Sequence, residues 1–292
     1  MLAILSATPR MHLRRLPPRL ALCTALLAGG AAAQDVEAEA PVAVRVPEKP
    51  EAQWEGAIGM IATYRPEYQG ATERIVNLKP VIFVRYGRFT ASSGGSGFAT
   101  RRPGDIARGL GLNIVDSERV RLSLGLRYDG GRSAEDSGAL AGMGDIKATV
   151  RVRAAASWRF DSPWRLGANW SIDAFGRGGG HYGEVNATYE KHVAPKSILT
   201  LGGSLGMGGG TYMQAYYGVT EEQSAASGYP VYTASAGLRE IAFAAGLRHE
   251  FNDEWTLLAG AGVSRLLGSA AASPLTLSPT GWGINTGAVW RF

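Results

Sequence analysis

Cysteine is almost missing from this sequence: Cys23 is its single instance, so no intramolecular disulfide staples any part of the chain. Histidine is nearly as scarce, with four in 292 residues. No apolar run reaches the roughly 18 residues that a membrane-crossing helix needs. Large charge imbalance is missing too, although 30 basic against 25 acidic residues and a pI near 9.4 suggest otherwise at first sight. Four of the basic residues, Arg10, Arg14, Arg15 and Arg19, precede the apolar "LALCTALLAGG" and the small residues Ala31 and Ala33. Charge, then apolar core, then small residues is the order of a secretory signal peptide, expected over residues 1–33 with cleavage after Ala33. Leu22 stands before Cys23 where a lipoprotein signal requires a small residue, which argues against lipidation.

Without those four arginines, 26 basic residues face 25 acidic ones. That near-neutral balance removes the case for nucleic-acid binding. An exported chain with no cysteine left also has to be stabilised by some closure other than disulfides. Residues 34–53, "QDVEAEAPVAVRVPEKPEAQ", mix proline, alanine and charge without periodicity. They read as a disordered periplasmic linker, with a docking segment for a periplasmic partner as the sharper alternative.

The scarcity of catalytic and ligating groups is informative. His181, His192 and His249 follow residue 33; none is spaced from another as a metal ligand, and no nucleophile–base constellation shares a strand with them. The 40 glycines include "SSGGSG", "GRGGGHYG" and "GMGGG". These lack the lysine and Ser/Thr of a phosphate loop and open no helix, so no nucleotide or other cofactor is expected. The chain reads as no enzyme.

What is abundant is alternation. In "IKATVRVRAAASWRF" the even positions from Ile146 to Phe160 are apolar, while Lys147, Arg151, Arg153 and Arg159 fall on the odd ones. "VRLSLGLRYD" and "WRLGANWSID" repeat the period of two, so one face suits oil and the other water. Short turns at 116–119, 161–163, 194–197 and 252–254 alternate with longer loops near 65–75, 131–145, 211–231 and 268–280. Trp54, Tyr64, Tyr128, Trp158, Phe160, Trp164, Phe251 and Trp255 mark strand ends as interfacial girdles. Inward positions read as polar, charged or glycine. Together these predict an all-β fold over residues 54–292: a transmembrane antiparallel up-and-down β-barrel.

The predicted strands are 54–64, 76–90, 96–102, 105–116, 119–130, 146–160, 164–177, 183–193, 197–210, 232–251, 255–267 and 281–292. Twelve is the count, with ten as the alternative if the weak third strand, broken by Pro103, is lost. Either even number leaves both termini on the periplasmic side of an outer membrane. Phase slips between Arg239 and Glu240, which predicts a β-bulge there. Arg121, Arg127, Lys147, Arg151, Arg153, Arg159, Arg165 and Arg177 form an expected basic stripe on the lumen wall. It would favour anions or bind an anionic glycan or headgroup; the simpler account is a network of ion pairs with Glu55, Asp173, Glu184, Glu190, Glu240 and Glu250 filling the lumen.

Four segments, "YYGVTEEQSAASGYPVYTASAGLRE", "SRLLGSAAASPL", "RPEYQG" and the aromatic C-terminus, resemble the MipA/OmpV family. The resemblance implies a Gram-negative outer-membrane barrel without catalytic residues. It further implies a scaffold for murein-processing enzymes, with a lytic transglycosylase and a penicillin-binding protein as partners beside outer-membrane lipid. Related members are associated with adhesion, osmotic response or antibiotic susceptibility. Tyr217, Gly218, Val219, Ser227, Gly228, Tyr232, Ser273 and Pro274 match the family's loop motifs. A diffusion channel for small, anionic solutes is the competing function. The final strand, with Asn285, Gly287, Trp290 and Phe292, resembles the signal read by barrel-assembly machinery, and its alternation turns Trp290 and Phe292 towards lipid.

Overall fold

In the computed structural model, residues 54–93 and 109–292 are described. The expected signal peptide, the linker and the third strand expected at 96–102 lie outside the described residues. The strands are β1 Trp54–Pro66, β2 Arg74–Tyr86, β3 Phe89–Ser92, β4 Gly109–Asp116, β5 Val120–Asp129, β6 Thr149–Arg159, β7 Trp164–Asp173, β8 His181–Ala194, β9 Ser197–Gly208, β10 Gly237–Glu250, β11 Trp255–Leu266 and β12 Thr280–Arg291. Each pairs antiparallel with its chain neighbours, and β12 pairs with β1 to close a twelve-stranded barrel. Closure leaves no edge strand, which is what a β-structure in lipid requires. No described helix is long and apolar enough to cross a membrane.

The outer surface carries a continuous apolar belt, including Ile58, Val76, Leu78, Leu110, Leu124, Leu126, Leu201, Phe243 and Ile284. Trp54, Trp158, Trp164 and Trp255 lie at one end of it and Tyr64, Tyr128 and Trp282 at the other. An apolar surface of this extent is tenable only against hydrocarbon. The chain is an outer-membrane barrel.

Its two ends differ. Tight turns join β4 to β5, β6 to β7, β8 to β9 and β10 to β11, as the residue pattern predicts, and the first residue of β1 and the last of β12 lie at this same end. The seam there finishes with a two-way backbone bond between Gly56 and Phe292, both 3.0 Å. Longer connections occupy the opposite end. They contain α1 Gly210–Tyr217, α2 Glu221–Ser227 and α3 Gly268–Ala271.

Three expectations require correction. The strand expected over 76–90 is broken at Gly87, whose φ of +55° permits a two-residue turn, so the third strand is Phe89–Ser92 paired with β2 and β4. β6 starts only at Thr149 and β7 ends at Asp173; Lys147 and Arg177 therefore lie beyond the strands, exposed, and do not line the lumen wall. The inner wall is also not uniformly polar. Ala57, Val81, Phe83, Leu258 and Val289, with Ile61 against them, pack as an apolar cluster inside β1, β2, β11 and β12. Facing side chains bury one another there instead of hydrating a lumen.

The bulge expected at Arg239 and Glu240 is present: the β10–β9 register shifts between Leu238 and Glu240. Its consequence is that two consecutive side chains, Arg239 and Glu240, both turn inward and are buried.

Candidate functional site

The functional groups of this barrel converge where the long loops enter the lumen. Arg239 and Glu240 form an ion pair across the bulge. The second Nη of the same guanidinium donates to Tyr212 Oη at 2.7 Å. Gln69, from the β1–β2 loop, donates to the far oxygen of Glu240 at 2.8 Å and accepts from Tyr217 Oη at 2.9 Å. Both Nη atoms of Arg239 and both carboxylate oxygens of Glu240 are thus engaged, with Arg239 Nε buried beside them without a partner, and the pair draws the first long loop and α1 onto one bulge of β10.

α1 is short and flanked by glycine, and it sits inside the barrel mouth. Tyr212 and Tyr217 are buried and Met213 completely so, packed with Ala234, Leu266 and Ala270. Tyr212 stacks on Tyr216 at 4.6 Å between ring centroids and leans on Tyr182 at 5.0 Å. Room for the helix depends on Gly180, which has φ +53° and on which a Cβ would strike the Tyr212 backbone. Two cations cap the ring cluster: Arg151 lies 4.9 Å above Tyr182, and Arg239 lies 5.6 Å from Tyr212.

Arg151 is fully buried. Its Nε meets Asp129 at 2.5 Å, and its two Nη atoms donate to the carbonyls of Gly180 and Gly179 at 3.0 and 2.9 Å. It therefore ties β5, β6 and the β7–β8 loop together, a bracing role with its hydrogen-bonding capacity used internally. Of the remaining basic stripe, Arg121, Arg127, Arg153 and Arg165 face inward on β5, β6 and β7, while Arg159 is exposed at the turn end. Arg121 pairs with Asp116 at 2.9 Å and Arg165 with Glu190 at 3.8 Å, and Arg127 donates to Tyr182 Oη at 3.2 Å. Exposed Arg177 donates to the carbonyl of Ala148. Pairing is mostly with strand neighbours, with Asp129 and Asp116 as partners; Asp173 instead accepts from Thr149 and from the loop amides of Phe175 and Gly179.

The family-motif residues meet at the same end. Ser273 Oγ, buried, donates to the carbonyl of Tyr217 at 2.6 Å and accepts from the amide of Leu275. Pro274 stands between them. Gly218 follows α1 and caps it through its amide on Gln214. Val219 and Tyr232 form a two-way backbone bridge, and Tyr232 Oη donates to Ser269 at 2.8 Å. Ser227 closes α2, and Gly228 takes the left-handed cap at φ +80°. Val219 and Leu275 bury Met143 of the β5–β6 loop, whose carbonyl also accepts from Gln223 at 2.6 Å. From the "RPEYQG" segment, Tyr68 Oη donates to Leu275 at 3.1 Å, and Gly70 accepts from Ser278 at 2.9 Å. Segments some 200 residues apart thus interlock into one cap. The phenols within it resist ionisation: burial, then the charge on Asp129, pushes Tyr216 up to about 12, burial does the same to Tyr68, and burial raises Tyr217 further.

α1 and α2 are absent from the residue-level prediction, which reads 211–231 as loop. A signal for α2 exists in "TEEQ": Thr220 and Gln223 form a reciprocal capping box with two acids in the first turn. α1 has no comparable mark, because its apolar residues are buried by the barrel mouth. Among the histidines, His181 opens β8 against Trp170 and is no loop residue, and His249 Nδ1 lies 2.9 Å from Ser197 Oγ. Among the described residues no cluster of His, Cys, Asp or Glu is arranged to hold a metal. Asn285 and Gly287 face inward on β12, Trp290 Nε1 donates to Glu254 at 3.1 Å, and the Phe292 ring lies on Gly56 at the seam.

Residues 58–292 match the family model described as MltA-interacting protein MipA. The chain belongs to this family. Family membership and fold are both of a non-enzymatic kind. No curated protein matches the chain. Solved structures similar to this MipA-family barrel include the NanC porin, 10% identical over 80% of this chain and 98% of that one with a TM-score of 0.42. The outer membrane channel DcaP of Acinetobacter baumannii is 10% identical over 82% and 97%, with a TM-score of 0.39. The COG4313 outer membrane channel from Pseudomonas putida F1 is 12% identical over 84% and 97%, with a TM-score of 0.37. Similarity at this level carries no argument about function.

Proposed function

We propose that this MipA-family barrel is a non-catalytic scaffold of the outer membrane that holds cell-envelope enzymes at its turn end, with both termini and the tight turns in the periplasm. The observation that supports it is the loop-end cap: α1 seated in the barrel mouth, the Arg239–Glu240–Gln69–Tyr217 chain and the Ser273 clasp interlock where a solute would enter. The family's printed name, MltA-interacting protein, favours a lytic transglycosylase as partner, and a penicillin-binding protein is the second component of the same reading. Detergent extraction followed by co-purification tests it. Recovery of murein enzymes with the barrel is expected; a barrel that brings none would remove the scaffold reading.

A second reading, a channel for small anions, rests on the inward cations Arg153, Arg165 and Arg248 on β6, β7 and β10. Planar-bilayer recording separates the two. A scaffold gives no discrete conductance, whereas salt-dependent steps reduced by Arg153→Gln would establish the channel. Assembly is expected to depend on Asn285, Gly287, Trp290 and Phe292, with barrel-assembly machinery as the partner. Deleting Phe292 should lower outer-membrane levels of the protein; unchanged levels would refute that role.

A further inference from the structure

The lipid-facing wall is not evenly studded. Across β8 to β12 it sinks into a groove of about 770 Å³. Gly203, Ala187, Ala245 and Ala261 form its floor, because none carries a side chain longer than a methyl group. Leu201, Phe243 and Trp282 stand around it, with Trp164 at the turn-end rim. A second hollow of about 750 Å³ adjoins it, with Ala156, Ala168 and Ala187 in its lining; elsewhere on the belt Val76, Leu78 and Leu110 project at the outward positions. A hollow of this kind in hydrocarbon is filled by acyl chain, which gains dispersion contacts on several sides at once.

Cations lie on the turn side of this groove, on the same strands. Strand register places Lys191 opposite Leu199, one outward step beyond the Tyr189–Leu201 pair at the groove's edge. Lys191 and Lys196 are both exposed. Ser197 and His249 form a cross-strand pair beside them, with Oγ and Nδ1 2.9 Å apart. Among the described residues neither lysine has a carboxylate within ion-pair reach. Four of the acids at this rim are engaged elsewhere: Asp161 with Arg119, Glu254 with Trp290, and Glu190 and Glu250 inside the barrel with Arg165 and Arg291; Asp253, in the β10–β11 turn, is exposed. A long lysine that lies along an apolar wall carries its ammonium to the membrane–water boundary, where anionic headgroups are found.

We propose that this face is a specific site for one anionic glycerophospholipid of the leaflet adjoining the turns, with an acyl chain in the Gly203–Ala245–Ala261 groove and its phosphate on Lys191, Lys196 and the Ser197 hydroxyl. The choice of a glycerophospholipid rests on the proposed periplasmic placement of the turns. Occupancy of this site would couple barrel position to lipid charge beside the face where partner enzymes are held.

The experiment is native mass spectrometry of the full-length barrel purified in mild detergent and then offered phosphatidylglycerol or phosphatidylcholine. The wild-type protein is expected to retain phosphatidylglycerol in preference to phosphatidylcholine. Lys191→Gln with Lys196→Gln should weaken that retention by about tenfold or more. Ala245→Phe, which fills the groove from the lipid side, should displace the lipid with the barrel still folded. Lys147→Gln, at the far end, should change nothing. Equal retention of both lipids, or retention unchanged in the lysine pair and in Ala245→Phe, overturns the proposal. So does a groove that Ala245→Phe shows to be a self-association surface, by loss of a cross-linked dimer. Placement of the turns is read separately, by Lys196→Cys labelling with a membrane-impermeant reagent. Labelling in intact cells defeats the periplasmic reading itself, while protection until permeabilisation upholds it whatever the lipid result.

Discussion

The two ends of this barrel are built by opposite strategies. At the turn end, strands reverse through a few residues whose bonds are local: Ser117 closes on Val120 at 2.8 Å, and Asn252 accepts from the amides of Glu254 and Trp255 at 3.0 and 2.6 Å. Its ion pairs join neighbouring strands or turns, as Arg165–Glu190 does, or reach across one strand, as Arg291–Glu250 does, and some are exposed, such as Arg119 with Asp161. At the loop end, contacts run between segments far apart in the chain: Tyr68 reaches Leu275, Gln69 reaches Glu240, and Tyr217 is clasped by Ser273. Glu240, Tyr217, Leu275 and Ser273 are buried there, while Tyr68 is half-buried and Gln69 exposed. The difference shows that a barrel wall can be closed by hydrogen-bonded register alone, whereas the loops at its mouth are held together only by tertiary packing, with no lattice of their own. Stability should therefore be sensitive to single side chains at one end and indifferent to them at the other.

The largest expected effect breaks the loop end at its charge. Arg239→Ala strands Glu240 in a buried site and should cost about 3–5 kcal/mol, seen as a lowered urea midpoint in detergent. Replacing both partners together, Arg239→Met with Glu240→Leu, should cost much less, because no uncompensated charge remains. A double variant as unstable as the single one would show that the bulge, not the ion pair, holds the cap.

Ser273→Ala comes next. It removes a buried bridge between Tyr217 and Leu275 and should cost about 1–3 kcal/mol, read as faster proteolysis of the 210–232 and 267–279 loops with the strands intact. Equal protection would mean that the apolar packing around Met213 suffices.

Alkaline titration sharpens the same contrast. Tyr68 and Tyr216 hold their protons up to about 12 when folded, against 10 when unfolded. Their stabilising contribution is complete below pH 10 and is lost as pH rises from 10 towards 12, since only the unfolded chain ionises in that window. Near-ultraviolet tyrosinate absorbance should thus show late-titrating phenols whose release coincides with loosening of the cap. The smallest effect is at the turn end: Arg119→Ala should leave the melting temperature unchanged, because the pair it breaks is in water.

Much of the wall was readable from residues alone. Alternation such as Val120, Leu122, Leu124 against Arg121, Ser123, Gly125 survives as exposed and inward faces because side-chain direction in a strand has a period of two. The bulge at Arg239 was readable for the same reason: two inward residues in a row break the period. The turn at Gly87 was not, since "RYGRF" continues the strand pattern and only a positive φ reveals the reversal. Lys147 and Arg177 were misplaced because strand ends depend on where neighbours stop pairing. Phe83 and Val289 inside the barrel were missed because an inward apolar side chain needs a partner that no local window contains. At the candidate site the motif residues 217–232 and 273–274 stood out, but not their mutual contact or the part played by Gln69.

The sequence by itself determined the barrel: strand period, belt, short turns and the bulge follow from interactions between residues near in the chain or in register with the next strand. Only the tertiary structure decided which loops meet at the mouth. The contacts that join them, from Gln69 to Glu240 and from Ser273 to Tyr217, link positions whose separation along the chain carries no periodic signal, and they exist because the closed wall brings those loops to one place.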